Sequence, residues 1–204
     1  MSTVVKQEIH RDDIGSKTGM WLFIFTELLL FGGLFIVYTV YRFKYAGAFH
    51  LAGEELNVKI GFLNTVILLI SSMTVAMSIT AVQLGDRKKT VLFIIITLAL
   101  ALFFLVNKYF EWSVKIGHGL YPGSQKLFEF GNGDTLFFGL YFFMTGLHAL
   151  HIIVGMTILI VMLFKVINKS INSGNYVQLE NSGLYWHLVD LIWIFLFPLF
   201  YLIT

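Results

Sequence analysis

The sequence predicts an all-α integral membrane protein: five transmembrane helices in one bundle, with the N-terminus in the cytoplasm and the C-terminus outside. Three observations lead there. Of 204 residues, 57% are hydrophobic and only 13% charged, against about 25% charge in an ordinary soluble domain. The apolar residues gather into separate stretches, each long enough to cross about 30 Å of hydrocarbon. In lipid every backbone N–H and C=O needs a partner within its own segment, so such stretches are helices.

Each element follows in order. Residues 1–17, MSTVVKQEIHRDDIGSK, are polar and lack an apolar core, so they read as a cytoplasmic N-terminal segment and not as a cleavable signal peptide. Residues 18–204 form the transmembrane domain. The first span, 18–41, is interrupted only by Glu27, and the second, 60–83, carries no charge. On the second span Asn64, Ser71, Thr74, Ser78 and Ala81 recur at helical spacing, a seam for close helix approach. The third, 90–112, is clean until Lys108 and Glu111. The fourth, 135–164, contains no Lys, Arg, Asp or Glu. At roughly 1.5 Å per residue it is about 45 Å long, so it must tilt or protrude. The fifth, 184–203, has Pro198 near its exit. Gly32, Gly33, Gly139, Gly146 and Gly155 are expected at close helix contacts.

The connectors are polar and leave no room for a separate soluble domain, and no internal repeat is visible. Five crossings put the termini on opposite faces. Lys6, Arg11, Lys17, Arg87, Lys88, Lys89, Lys165 and Lys169 fall on the N-terminal side; Arg42, Lys44, Lys59, Lys115 and Lys126 fall on the other. This asymmetry places the N-terminal side in the cytoplasm. A net charge of +2 gives no case for a nucleic-acid partner. The chain has no cysteine, which excludes disulfides, thiolate metal sites and cysteine nucleophiles.

Polar groups inside the spans are costly and turn toward protein or water. Glu27 lies roughly 15 Å into the first span by helical rise, with no basic residue within a helical turn. Desolvation disfavours its charged form, so it is expected as a neutral acid unless another helix supplies a partner. Its role is then either to handle protons or meet lipid, or to hydrogen-bond inside the bundle. Lys108 and Glu111 share a face near the end of the third span and suit a local ion pair. His148 and His151 share another face, as a metal-binding pair does, yet two histidines supply at most half a tetrahedral site. The rest would come from His187, Asp190 or Glu111; the alternative is an interior hydrogen-bonded cluster. His187 and Asp190, three apart, are expected to pair with other helices.

Six segments carry a family resemblance: GMWLFIFTELLLFGGLF (19–35), LNTVILLISS (63–72), GDRK (85–88), FEW (110–112), TGLHALHIIVG (145–155) and YWHLVDLIWIFLFPLFYL (185–202). In this order and spacing the chain resembles the cytochrome c oxidase subunit III family of haem-copper respiratory oxidases. The resemblance implies a subunit without haem or copper, with redox chemistry left to subunits I and II. It implies packing beside subunit I, bound phospholipid, support of proton uptake and protection of the oxidase from inactivation during turnover; a larger respiratory supercomplex is a further candidate partner that the sequence leaves open. Glu27 matches the family's carbodiimide-reactive buried carboxyl, and Lys165 a basic position close to lipid headgroups. Glu111, His148, His151, His187 and Asp190 match polar positions of the helix bundle, where a bracing role is expected and neither catalysis nor metal ligation.

Seven-helix members carry two further helices before the segment equivalent to 18–41, separated by a lipid-filled cleft. This chain resembles the shorter bacterial form, which implies the bacterial cytoplasmic membrane and no deep two-walled cleft unless another subunit supplies a wall. Alternatives from other classes are a metal enzyme built on His148, His151 and His187, and a proton channel using Glu27. The repeats and broken helices usual in transporters are not visible. Within the family, an accessory subunit of a nitric oxide reductase or a quinol oxidase shares the same five-helix pattern.

Overall fold

A computed structural model of the chain describes residues 12–203; Lys6, Arg11 and most of the 1–17 segment lie outside the described residues. The described chain is helical, with no strand beyond one isolated bridge between Asn172 and Asn175. Five helices are long and apolar enough to cross a membrane: α1 (Asp13–Lys44), α3 (Val58–Gln83), α4 (Arg87–Gly117), α6 (Asn132–Ile167) and α7 (Val177–Tyr201). Each of the first four contains the apolar stretch expected from the sequence and runs past it into charged residues. The fifth begins earlier than expected and ends at Tyr201, a turn beyond Pro198. Two short helices, α2 (Ala46–Glu54) and α5 (Gln125–Phe130), lie in the connectors on the side opposite the start of α1.

Side chains set where several helices begin. Asp12, Asn57, Asp86 and Ser124 each accept a hydrogen bond from a backbone N–H two or three residues on, at 2.7–3.3 Å. Such caps satisfy donors that have no partner in the first turn. The end of α6 is closed by its backbone, with Lys169 N–H bonded to Val166 and Ser170 N–H to Lys165. That closure puts Lys169 at φ 62, where glycine is usual. Arg87, at the start of α4, adds its guanidinium to the carbonyls of Val166 and Ile167. A cation there also meets the negative end of the α6 dipole.

The helix α7 is the centre of the bundle, packing against α1, α3 and α6, while α3 and α4 form a tight antiparallel hairpin. Its buried face includes Trp186, Trp193, Leu196 and Phe200. Trp186 donates to Ser71 Oγ at 3.1 Å and Trp193 to Thr65 Oγ1 at 3.0 Å, so each indole that packs also finds an acceptor. The expected seam on α3 is buried throughout, from Asn64 to Ala81. Thr74 meets Thr97 at 2.8 Å, and Asn107 donates to Asn64 at 2.9 Å.

The glycines divide. A Cβ on Gly155 would lie 2.9 Å from the Trp186 ring, and one on Gly61 2.8 Å from Tyr201, so these two positions allow close approach of α6 and α3 to α7. Gly146 has Trp112 at ordinary contact distance. Gly32, Gly33 and Gly139 have open space where a side chain would go, contrary to expectation. Their lack of a Cβ serves no contact within the described chain.

By contrast α1 stays peripheral. Only Ile24, Phe31 and Tyr38 of its side chains are buried, while Trp21, Leu22, Phe25 and Leu29 are exposed. It is held at intervals along its length. Lys17 pairs with Glu180 at 2.8 Å, and Asn181 donates to Ser16. At the far end the Tyr38 hydroxyl bonds the Leu199 carbonyl.

Candidate functional site

The polar residues picked out in the sequence do not join into one network; the helices bring them together in separate groups. Midway along α1 and α6, Glu27 Oε2 lies 3.1 Å from His151 Nε2, with both side chains largely enclosed. The partner absent from the neighbourhood of Glu27 in sequence is therefore supplied across the bundle. His151 Nδ1 is 2.8 Å from the Leu147 carbonyl, which can only accept, so this nitrogen carries a proton. Nε2 is thereby left facing Glu27 Oε2 at hydrogen-bond distance. The T-shaped contact with Phe31 and a bond from Tyr185 to the His151 carbonyl fix the surroundings of the ring. His151 also lines an apolar groove of about 370 Å³, together with Phe23, Val154 and Ile158.

His148, one turn away on α6, is not part of that pair. It is fully buried between the rings of Phe104 and Trp193, at 5.7 and 5.2 Å between centroids. Neither ring nitrogen has a hydrogen-bond partner among the described residues. His187 turns instead to α3, where its Nδ1 is 2.6 Å from Ser72 Oγ. Asp190, buried on α7 with Ser72 beside it, leaves Oδ1 without a partner among the described residues. Within the described residues no three His, Asp or Glu side chains gather in a metal-holding arrangement.

The strongest polar centre lies toward the other end of α4. Lys108 Nζ donates to Glu111 Oε2 at 3.1 Å, to the Tyr141 hydroxyl at 3.0 Å and to the Tyr201 hydroxyl at 2.9 Å. Both tyrosines in turn donate to Glu111 Oε1. The ammonium thus uses all three donors, and every hydroxyl acts both ways. Trp112, Tyr141, Trp193 and Tyr201 present rings within 4.9–5.9 Å of Nζ, within cation–π range. The sequence supplies the Lys108–Glu111 pair through its three-residue spacing; it does not supply the tyrosines, which arrive from α6 and from the last turn of α7. Buried this way, the cluster ties three helices together at one point.

Lys165, at the end of α6, donates to Gln178 Oε1 on α7 at 2.7 Å. Lys17, Glu180, Gln83 and Arg87 complete a polar rim on the same side. In the connector between α3 and α4, the backbone N–H of Lys89 and then its side chain hold the Asp86 carboxyl below the usual carboxylate range.

Known proteins place this architecture. The family model for cytochrome c oxidase subunit III matches residues 3–204. Cytochrome c oxidase subunit 3 of Yarrowia lipolytica is 32% identical over 195 residues, covering 92% of this chain and 67% of that protein. The Bos taurus subunit 3 is 31% identical over 198 residues, covering 92% and 69%. The haem-copper oxidase subunit I+III of Aeropyrum pernix is 30% identical over 193 residues, covering 92% of this chain and 22% of that longer protein. The chain spans about two thirds of the length of these subunit 3 relatives. With the five membrane-length helices and the match along almost the whole sequence, this multi-pass membrane chain belongs to the cytochrome c oxidase subunit III family of the haem-copper oxidases.

Proposed function

We propose that the chain is a non-catalytic core subunit of a haem-copper terminal oxidase, packed beside subunit I and working with subunit II in aerobic respiration. The observation that carries this reading is the family match over residues 3–204. The Aeropyrum pernix relative supports the pairing, since its name joins subunits I and III in one chain. The exposed apolar face of α1 offers a surface for such a neighbour or for phospholipid. In this reading haem and copper belong to the partner subunits, and this chain holds lipid and steadies the oxidase. Proton uptake by the complex is supported by the subunit as a whole, while Glu27 and His151, with an apolar groove alongside, brace the bundle where it meets lipid.

The test is purification from native membranes. The chain should travel with a haem-bearing subunit I and with subunit II, and should show no visible absorption once separated from them. A Soret band or stoichiometric copper in the separated chain overturns the proposal. The proposed membrane is the bacterial cytoplasmic membrane, with the Arg87–Lys89 hairpin inside. A cysteine at Lys88 should be labelled only from the cytoplasm and one at Gly123 only from outside; the opposite pattern inverts the topology.

A further inference from the structure

At the end of the α3–α4 hairpin away from the α1 start, a cavity of about 440 Å³ opens beside the buried Lys108 cluster. Its volume falls in the range of small-molecule sites, roughly 300–1,000 Å³. The cavity has a gradient. Glu55, Asn57, Lys115 and His118 form the rim, and Ile60, Leu63, Phe110 and Val114 wall the part that descends along the helices. Glu111 and Asn107 line it as well, but both Glu111 oxygens are taken by Lys108 and the two tyrosines, and the Asn107 amide N–H by Asn64.

The rim charges are placed for a ligand carrying both signs. The Lys115 side chain is only 7% exposed, and its Nζ donates to the backbone carbonyl of Glu55. An ammonium has three donors, so two remain after that bond. The Glu55 carboxylate is 3.9 Å from Nζ, beyond a good hydrogen bond, and its side chain is 56% exposed. One cation and one carboxylate thus face the same opening with bonding capacity to spare. Inside, Glu111 is already balanced by Lys108, so the rim is close to neutral overall. A net anionic ligand gains little there, and an uncharged one leaves both groups unanswered.

We propose that this cavity binds the headgroup of a zwitterionic phospholipid bearing a primary amine, an ethanolamine phospholipid of the leaflet on that side. The phosphate meets Lys115 and His118, and the ammonium donates to Glu55. One acyl chain descends along Ile60, Leu63, Phe110 and Val114. A choline headgroup has no N–H to give Glu55 and binds less well. The site is at the opposite end of the bundle from Lys165, where the family resemblance implies a lipid headgroup, and does not depend on that contact.

The test uses the oxidase complex containing the full chain, reconstituted in nanodiscs of equal ethanolamine, choline and glycerol phospholipids with matched acyl chains. After extraction and washing in detergent, native mass spectrometry counts the lipids retained by the chain. The expected result is one ethanolamine phospholipid, retained at least about tenfold over either competitor, a preference of about 1.4 kcal/mol. Val114→Trp fills the cavity and should abolish that retention. Glu55→Gln, at an exposed rim position, should bring ethanolamine and choline lipids to within about twofold of each other by the same relation. Lys88→Gln, exposed at the other end of the α3–α4 hairpin, should leave that retention unchanged. Equal retention of the three lipids by the unaltered chain overturns the proposal. So does undiminished ethanolamine lipid in an assembled Val114→Trp complex, or loss with Lys88→Gln instead.

Discussion

Replacing Lys108 by methionine keeps much of the side chain's volume and removes the ammonium at the centre of the α4–α6–α7 junction. Three hydrogen bonds disappear together, at 2.9–3.1 Å, and the side chain that makes them is 2% exposed. Hydrogen bonds to a charged group contribute about 1.5–3 kcal/mol each, but the ammonium's own desolvation offsets much of that sum. The larger effect is on Glu111, whose side chain is 4% exposed and loses its counter-charge. Breaking a buried pair from one side costs about 3–5 kcal/mol, and we expect Lys108→Met to fall in that range. The double variant Lys108→Met/Glu111→Leu should be more stable than the sum of the single losses by at least about 2 kcal/mol, since no unpaired charge is left behind. Equilibrium unfolding of the detergent-solubilised protein, completed as a double-mutant cycle, measures both quantities. A single-variant loss under about 1 kcal/mol, as for an exposed pair, or strictly additive losses, would refute the idea that this cluster locks the helices.

Gly155→Val places a side chain against the Trp186 ring, where even a Cβ stands at 2.9 Å; overpacking should cost about 1–3 kcal/mol. Gly32→Ala, with open space around it, should leave the thermal midpoint unchanged or slightly raised. Glu27→Gln keeps a hydrogen-bonding group beside His151 but removes the ionisable carboxyl. The complex should assemble and turn over almost normally, and a steep loss of steady-state activity confined to alkaline pH would assign the pair to proton uptake. Asp86→Ala removes the cap that accepts the Lys89 N–H at 3.1 Å and should speed hydrogen exchange at that amide. Because the folded form holds the Asp86 carboxyl below its unfolded value, its contribution is present above the unfolded pKa. It is lost as pH falls through the folded one, so the variant's deficit should vanish in acid.

The spans were legible because hydrocarbon thickness imposes a length that hydropathy alone can read. Their ends were not. Helices such as α1 and α6 continue into water, where Lys44 and Asp134 are no obstacle, so apolar windows mark the membrane and not the helix. The seam on α3 could be read from its spacing because one face of one helix is a local property. Glu27–His151 joins residues 124 positions apart, and Tyr201 comes to Lys108 from 93 positions away. Helical spacing within one segment says nothing about such meetings. The same limit explains the glycines: Gly155 and Gly32 look alike in sequence and differ only in whether a tryptophan from another helix is opposite. His148 and His151, three apart, reach different surroundings because a turn of helix rotates them toward different neighbours.

The central place of α7 has a consequence for how the molecule is made. The first of the five spans to leave the ribosome, α1, finds its partners in the spans that follow last: Lys17 with Glu180, Glu27 with His151, Tyr38 with Leu199. Until α6 and α7 have been inserted, α1 stands in the bilayer with no side chain to meet its midplane carboxyl. The α3–α4 hairpin, joined by three residues and closed by its own contacts, is free to form meanwhile. Completion then falls to a segment of 25 residues that arrives after every surface it must fill. A nascent chain arrested before residue 177 would keep the α3–α4 and α4–α6 contacts but lack the helix against which α1, α3 and α6 all pack.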